Sequence, residues 1–238
     1  MPGPAIRDLP SPNQDDRPAG VPVDMLILHY TGMPTAEAAL DRLRDPAAAV
    51  SSHYVVEEDG QVWRLVPEGR RAFHAGVSSW RGHSALNGRC VGIEIVNPGH
   101  EWGYCPFPAL QMAAVCDLCL GILSRHPIPA RNVVGHSDVA PDRKQDPGEL
   151  FDWRGLARNG VGLWPGADGA PVADARAALE GIGYPVPDLA TTLRAFQRHW
   201  LPEHLGLPEH LGLPEHLTGE ADAATLARLG AVLAAVTA

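Results

Sequence analysis

Cysteine is scarce in this chain: Cys90, Cys105, Cys116 and Cys119 are the only four in 238 residues. So few, at spacings with no framework pattern, exclude a small disulfide-stapled fold. Cys116 and Cys119 form one CxxC, but it sits in an apolar, helix-like segment. A zinc knuckle needs a second pair and a redox motif wants a strand–helix junction, so both are read as buried helix cysteines. Long apolar runs are also missing, and nothing approaches the roughly 18 residues that cross a bilayer. Basic charge is in deficit, 19 Lys and Arg against 28 Asp and Glu, for a net −9. That balance argues against a nucleic-acid backbone as the main partner. The opening MPGPAIRDLPSPNQDDRPAG lacks the charged and apolar regions of a secretory signal, and residues 1–20 are expected to be a flexible lead-in.

What is present suits one medium domain and a smaller one, with 45% hydrophobic residues and length enough for a core. VDMLILHY, from Val23 to Tyr30, is an apolar run between Pro22 and Thr31-Gly32 and reads as a buried strand. His29 at its end points beyond the sheet edge. Pro34 opens TAEAALDRLR, a helix ending before Pro46. HYVVEE and QVWRLV flank Asp59-Gly60, a hairpin signal. FHAGVSSWRGHSALNG is too polar and irregular for a core element, and such loops more often bind than pack.

CVGIEIVN, from Cys90 to Asn97, returns to a strand pattern. Glu94 alternates to the face opposite Ile93 and Ile95. A strand this apolar is central, with both faces covered, so Glu94 is no ordinary solvent-facing carboxylate. QMAAVCDLCLGILSRH is a long helix stopped by Pro127 and Pro129. RNVVGH is a short strand leading into GHSDVAPDRKQDPG (135–148), around which the chain is organised. That stretch gathers an imidazole, an amine and a late carboxylate, and its prolines oppose regular structure. FDW at Phe151 to Trp153 is expected to cap the domain with aromatic packing.

After Trp164, PGADGA is linker-like. ADARAALEGIGYPV, LATTLRAFQRHW and EADAATLARLGAVLAA then read as a compact three-helix unit. Inside it LPEHLG recurs from Leu201 and Leu207, and LPEHLT follows from Leu213. A period of six matches no helical-repeat architecture. We read it as a lengthened, solvated loop rather than a metal tract of His204, His210 and His216.

HYT (29–31), HYVVEEDG (53–60), AFHAGVSSWRG (72–82), VGIEIVN (91–97) and GHSDVAPDRKQDPG (135–148) together resemble the zinc-dependent N-acetylmuramoyl-L-alanine amidases. These share the fold of phage amidase lysozymes and peptidoglycan recognition proteins. RAFQRHW followed by GEADAATLARL is similar to a peptidoglycan-binding three-helix domain. The resemblance implies an α/β fold, a mixed sheet flanked by helices, with an amidase domain at 21–164. It implies a helical peptidoglycan-binding domain at 165–238, carrying the repeat at 201–218. It implies Zn2+ held by His29, His136 and Asp146, with Glu94 as catalytic acid/base and Lys144 as transition-state stabiliser. His53, His74 and Asn97 sit on similar motifs and are expected near the substrate. The expected partner is peptidoglycan or a muropeptide, with no nucleic acid, no membrane span and a monomeric chain. The cytoplasm is the expected compartment, or the periplasm or outer membrane if the true start lies upstream.

The chemistry suits those residues. Three protein ligands leave a fourth zinc position open for water or a carbonyl oxygen. A carboxylate beside the metal moves the proton from water to the leaving amine, and an ammonium meets the oxyanion. Three rivals remain. A non-catalytic peptidoglycan recognition protein would lack a ligand or the Glu. A zinc hydrolase of another acyl amide would share the whole set. A purely structural zinc would want four protein ligands.

Overall fold

Six strands form the central sheet, in the order β1 (Ile6–Asp8), β5 (Val62–Arg64), β4 (Tyr54–Val56), β9 (Cys90–Ile95), β3 (Met25–Tyr30) and β10 (Val133–Gly135). Only β4 and β5 pair antiparallel; the other neighbours are parallel. The computed structural model describes residues 5–166, 169–201 and 217–237. The histidines of the LPEHLG repeat lie outside them. Two small ribbons, β2 (Gln14–Asp16) with β6 (Arg70–Ala72) and β7 (Ser79–Trp80) with β8 (His83–Ser84), flank the sheet. The helices are α1 (Ala36–Arg44), α2 (Gly99–Trp102), α3 (Ala109–Arg125), α4 (His136–Val139), α5 (Trp153–Arg158), α6 (Ala175–Ile182), α7 (Leu189–Trp200) and α8 (Ala223–Thr237). Among the described residues no helix is long and apolar enough to cross a membrane.

Strand alternation divides the core. Leu26, Leu28, Val91, Ile93 and Ile95 pack with Val115, Leu118, Cys119 and Ile122 of α3. Phe151 and Trp153 close that side, as their aromatic content suggests. On the other face Met25, Ile27, Cys90 and Val134 meet Leu179, Ile182, Phe196, Trp200 and Val232 of α6, α7 and α8. The three expected helices therefore share one core with the sheet. Asp174 and Asp188 cap the first two by accepting from Ala177 N and Thr191 N, the usual way a helix start satisfies its free N–H groups.

Three expectations change. The lead-in contributes two paired strands within residues 6–16. β1 pairs with β5 and β2 with β6, and Asp8, Asp15 and Asp16 pair with Arg64, Arg71 and Arg70. Prolines disfavour helix but tolerate edge strands, which is where these segments lie. The stretch 135–148 also contains one helical turn, α4, before Pro141 stops it. Likewise Trp80 and Leu86, in the segment read as a polar loop, are buried in the core.

Candidate metal centre and catalytic groove

β3, β9 and β10 run parallel, so their carboxyl ends lie together, the end at which open α/β sheets bind ligands. His29 stands opposite Glu94 in the β3–β9 register, and His136 follows β10 directly. Asp146 returns to the same place because Ser137 N donates to its backbone carbonyl at 2.9 Å. His29 Nδ1, His136 Nδ1 and Asp146 Oδ2 then form a triangle with sides of 2.9, 3.0 and 3.0 Å. All three side chains are buried. This is a group that can hold a metal ion.

The donor set fits zinc. Bonds of about 2.0–2.1 Å in a tetrahedron separate neighbouring ligand atoms by about 3.3 Å, so a slight opening of the triangle suffices. The protons fit as well. His136 Nε2 lies 3.1 Å from the carbonyl of Ala75, which can only accept, so Nε2 carries the hydrogen. In the neutral ring Nδ1 is then a free lone pair. His29 Nε2 lies 2.9 Å from His74 Nδ1, and His74 Nε2 lies 3.3 Å from Cys90 Sγ. With Nδ1 of His29 kept for a metal, its Nε2–H donates to His74. Such outer partners fix tautomer and ring orientation.

His74 and Ala75 are consecutive, so one turn of the FHAG loop orients both imidazoles. Asn87 Oδ1 holds that turn by accepting from the amides of His74 and Ala75. Gly92 makes room beneath it: a Cβ there would lie 2.5 Å from the His74 ring. Burial and the neighbouring His136 depress the pKa of His29 to about 4, and burial beside His29 takes His74 well below its ordinary value. Both rings are thus neutral at neutral pH. Burial alone would raise the Asp146 carboxyl, but His136 and His29 hold it far below the usual carboxylate range.

Glu94 and Lys144 line a groove of about 430 Å³ beside the triangle, with His74, Tyr30 and Arg143. Burial, then the nearby Asp146, push the Glu94 carboxyl well above its ordinary value. Its Oε2 is sealed without a hydrogen-bond partner, so the fold does not use this atom. Lys144 is the only lysine of the sequence.

His53 and Asn97 are placed differently. His53 is fully buried; its Nδ1 accepts from Gly92 N, and its Nε2 faces Arg70 O and the Arg17 guanidinium. Asn97 accepts from Gly99 N and donates to Cys105 O. Neither lines the groove. His100 does line it, and bridges Tyr30 Oη and Glu149. The Tyr104 hydroxyl holds the loop's exit, donating to Pro147 O and accepting from Leu150 N. Nothing in the local pattern marks either residue; each acts over more than forty positions.

The model of the N-acetylmuramoyl-L-alanine amidase family matches residues 19–149. The chain is 36% identical to N-acetylmuramoyl-L-alanine amidase AmiD of Escherichia coli K12 over 89% of its length and 82% of that protein. It is 34% identical to 1,6-anhydro-N-acetylmuramyl-L-alanine amidase AmpD of Citrobacter freundii over 62% of its length and 86% of that one. AmiD in complex with the substrate anhydro-N-acetylmuramic acid-L-Ala-D-gamma-Glu-L-Lys superposes with a TM-score of 0.75, covering 91% of both chains. AmpDh3 of Pseudomonas aeruginosa, in complex with anhydromuramic pentapeptide, also gives 0.75, at 31% identity over 90% of this chain and 93% of that one.

Proposed function

This chain belongs to the N-acetylmuramoyl-L-alanine amidase family, and on that premise we propose how its residues perform the hydrolysis. It is an N-acetylmuramoyl-L-alanine amidase of peptidoglycan turnover or recycling. The bond cleaved joins the lactyl group of the muramyl sugar to the L-alanine of the stem peptide. The observation that carries the mechanism is the Nδ1, Nδ1, Oδ2 triangle with Glu94 paired beside His29.

His29, His136 and Asp146 would hold Zn2+, which when bound supplies Lewis acidity to an amide carbonyl and lowers the pKa of water. His74 and the Ala75 carbonyl keep the two imidazoles in the ligating tautomer. Glu94 takes the proton of the attacking water and returns it to the leaving nitrogen. Its raised pKa makes it a stronger base than an exposed glutamate. Lys144 donates to the oxyanion as the carbonyl carbon becomes tetrahedral. His53 and Asn97 act through the backbone they hold. Residues 21–164 carry this chemistry, and residues 165–238 bind glycan or peptide and raise the local substrate concentration.

The test is release of free stem peptide from a muropeptide by the purified chain, with zinc, after chelation, and for zinc-loaded Glu94→Ala. Release by the wild type alone, abolished by both treatments, is the expected result. If the wild type binds zinc and muropeptide yet frees no peptide, the hydrolytic mechanism is wrong and recognition without cleavage replaces it. Comparing anhydro and intact muramyl substrates then sets the preferred sugar.

A further inference from the structure

The ligand-bearing loop from His136 to Asp146 is gripped at both ends by the C-terminal helices. Asp138, two residues after His136, is fully buried. Its carboxylate faces three donors: Gly135 N at 2.7 Å, Tyr184 Oη at 2.6 Å and His199 Nδ1 at 2.7 Å. Tyr184 follows α6 and His199 lies in the last turn of α7. The His199 ring is stacked between Trp153 and Trp200, with centroids 3.9 and 4.0 Å away. Trp200 Nε1 donates to Tyr184 Oη at 3.0 Å. Every member of the cluster is thus oriented by another.

The second grip is next in sequence. Arg198 Nε lies 3.5 Å from Oε2 of Glu149, three residues after Asp146. Glu149 is buried and also faces His100 Nε2 at 3.1 Å. A buried carboxylate is costly unless well partnered, and simple docking of helices on a sheet needs none. Here two stand just beyond the two loop ligands, and each takes a partner from α7. Hydrogen bonds to a buried carboxylate are directional, so those to Asp138 fix where the loop lies as well as that it is covered, while Arg198 adds an ion-pair contact to Glu149 without a hydrogen bond.

We propose that the C-terminal helices are a positioning element of the amidase site. His199, Tyr184 and Arg198 hold the loop so that His136 and Asp146 meet His29 in ligand geometry. The functional consequence rests on the metal reading above; the structural grip does not. None of the three lines the groove, and they are positioning residues.

The experiment uses the full chain with His199→Leu, Tyr184→Phe, Arg198→Met and His199→Gln, the last keeping an N–H donor. Amide exchange at Ser137 and Ala140 is read without metal, zinc affinity by chelator competition, and kcat and KM on a soluble muropeptide. The first three variants are expected to exchange faster at both amides and to bind zinc about tenfold more weakly. Their kcat falls while KM changes by less than about twofold, and His199→Gln recovers part of each loss. Tyr184→Phe removes one hydroxyl and decides the matter should a larger change unfold the chain. Wild-type exchange and zinc affinity in Tyr184→Phe and in whichever other variants fold would overturn the proposal. If the wild type itself neither binds zinc nor frees peptide, the metal reading fails, and the exchange data still decide the grip.

Discussion

The two faces of β3 and β9 are built from the same backbone and do different work. On one face Leu26, Leu28, Val91, Ile93 and Ile95 are apolar from end to end and meet α3. On the other, the β9 side chains change along the strand. Cys90 is buried beneath His74, Gly92 leaves the space the His74 ring occupies, and Glu94 reaches the groove. Met25, Ile27 and His29 change in the same sense on β3. The first face needs only volume and hydrophobicity. The second also needs particular atoms in particular places, so a change of one methyl group there has chemical consequences.

Substitutions on the two faces should separate their roles. Glu94→Gln should lower kcat by about 10²–10⁴-fold with melting temperature and zinc content unchanged, because Oε2 has no partner to lose. Lys144→Ala should lower kcat by about 10²–10³-fold. Lys144→Arg should fail to restore it fully, since a planar fork cannot copy a point ammonium. Gly92→Ala drives a methyl into the His74 ring. Zinc affinity should fall by about 10–100-fold, read by chelator competition. Its neighbour on the packing face gives the contrast: Ile93→Val should cost about 0.5–1.5 kcal/mol of stability and leave zinc affinity untouched. A Gly92→Ala protein with wild-type affinity would erase the distinction between the faces.

The smallest effect lies away from both faces. Burial of Glu68 would raise its pKa, but hydrogen bonds from Arg125, Tyr54 and His126 lower it to about 2. A folded value below the ordinary 4.5 means that the group stabilises the fold above about pH 4.5 and loses that contribution as pH falls towards 2. Glu68→Gln should therefore flatten the acid side of a stability–pH curve, measured by denaturant melts between those limits.

Much of the site was legible in the sequence because its parts are local or periodic. Alternation alone put Glu94 opposite Ile93 and Ile95, and a strand ending in His29 placed an imidazole at the sheet's edge. The Asp59-Gly60 hairpin and the helix stops follow from turn chemistry, and the three C-terminal helices from their amphipathic patterns. What was not legible depends on long-range contacts. His74 was expected near substrate, yet it also faces His29 from 45 residues away. Nothing in the local pattern marks His199, because its partner, Asp138, is 61 residues distant. The pairing of the opening segment is not local either: proline lowers helix and central-strand propensity alike, while edge pairing with β5 and β6 asks for neither.

The most direct test of the central claim is X-ray absorption at the zinc edge of the zinc-loaded chain, compared with Asp146→Ala. The expected result is a single nitrogen and oxygen shell at about 2.0–2.1 Å with no sulfur scatterer at about 2.3 Å, and loss of tight loading in the variant. A sulfur shell from Cys90, or loading and a shell unchanged by Asp146→Ala, would contradict the assignment of His29, His136 and Asp146 as the ligands.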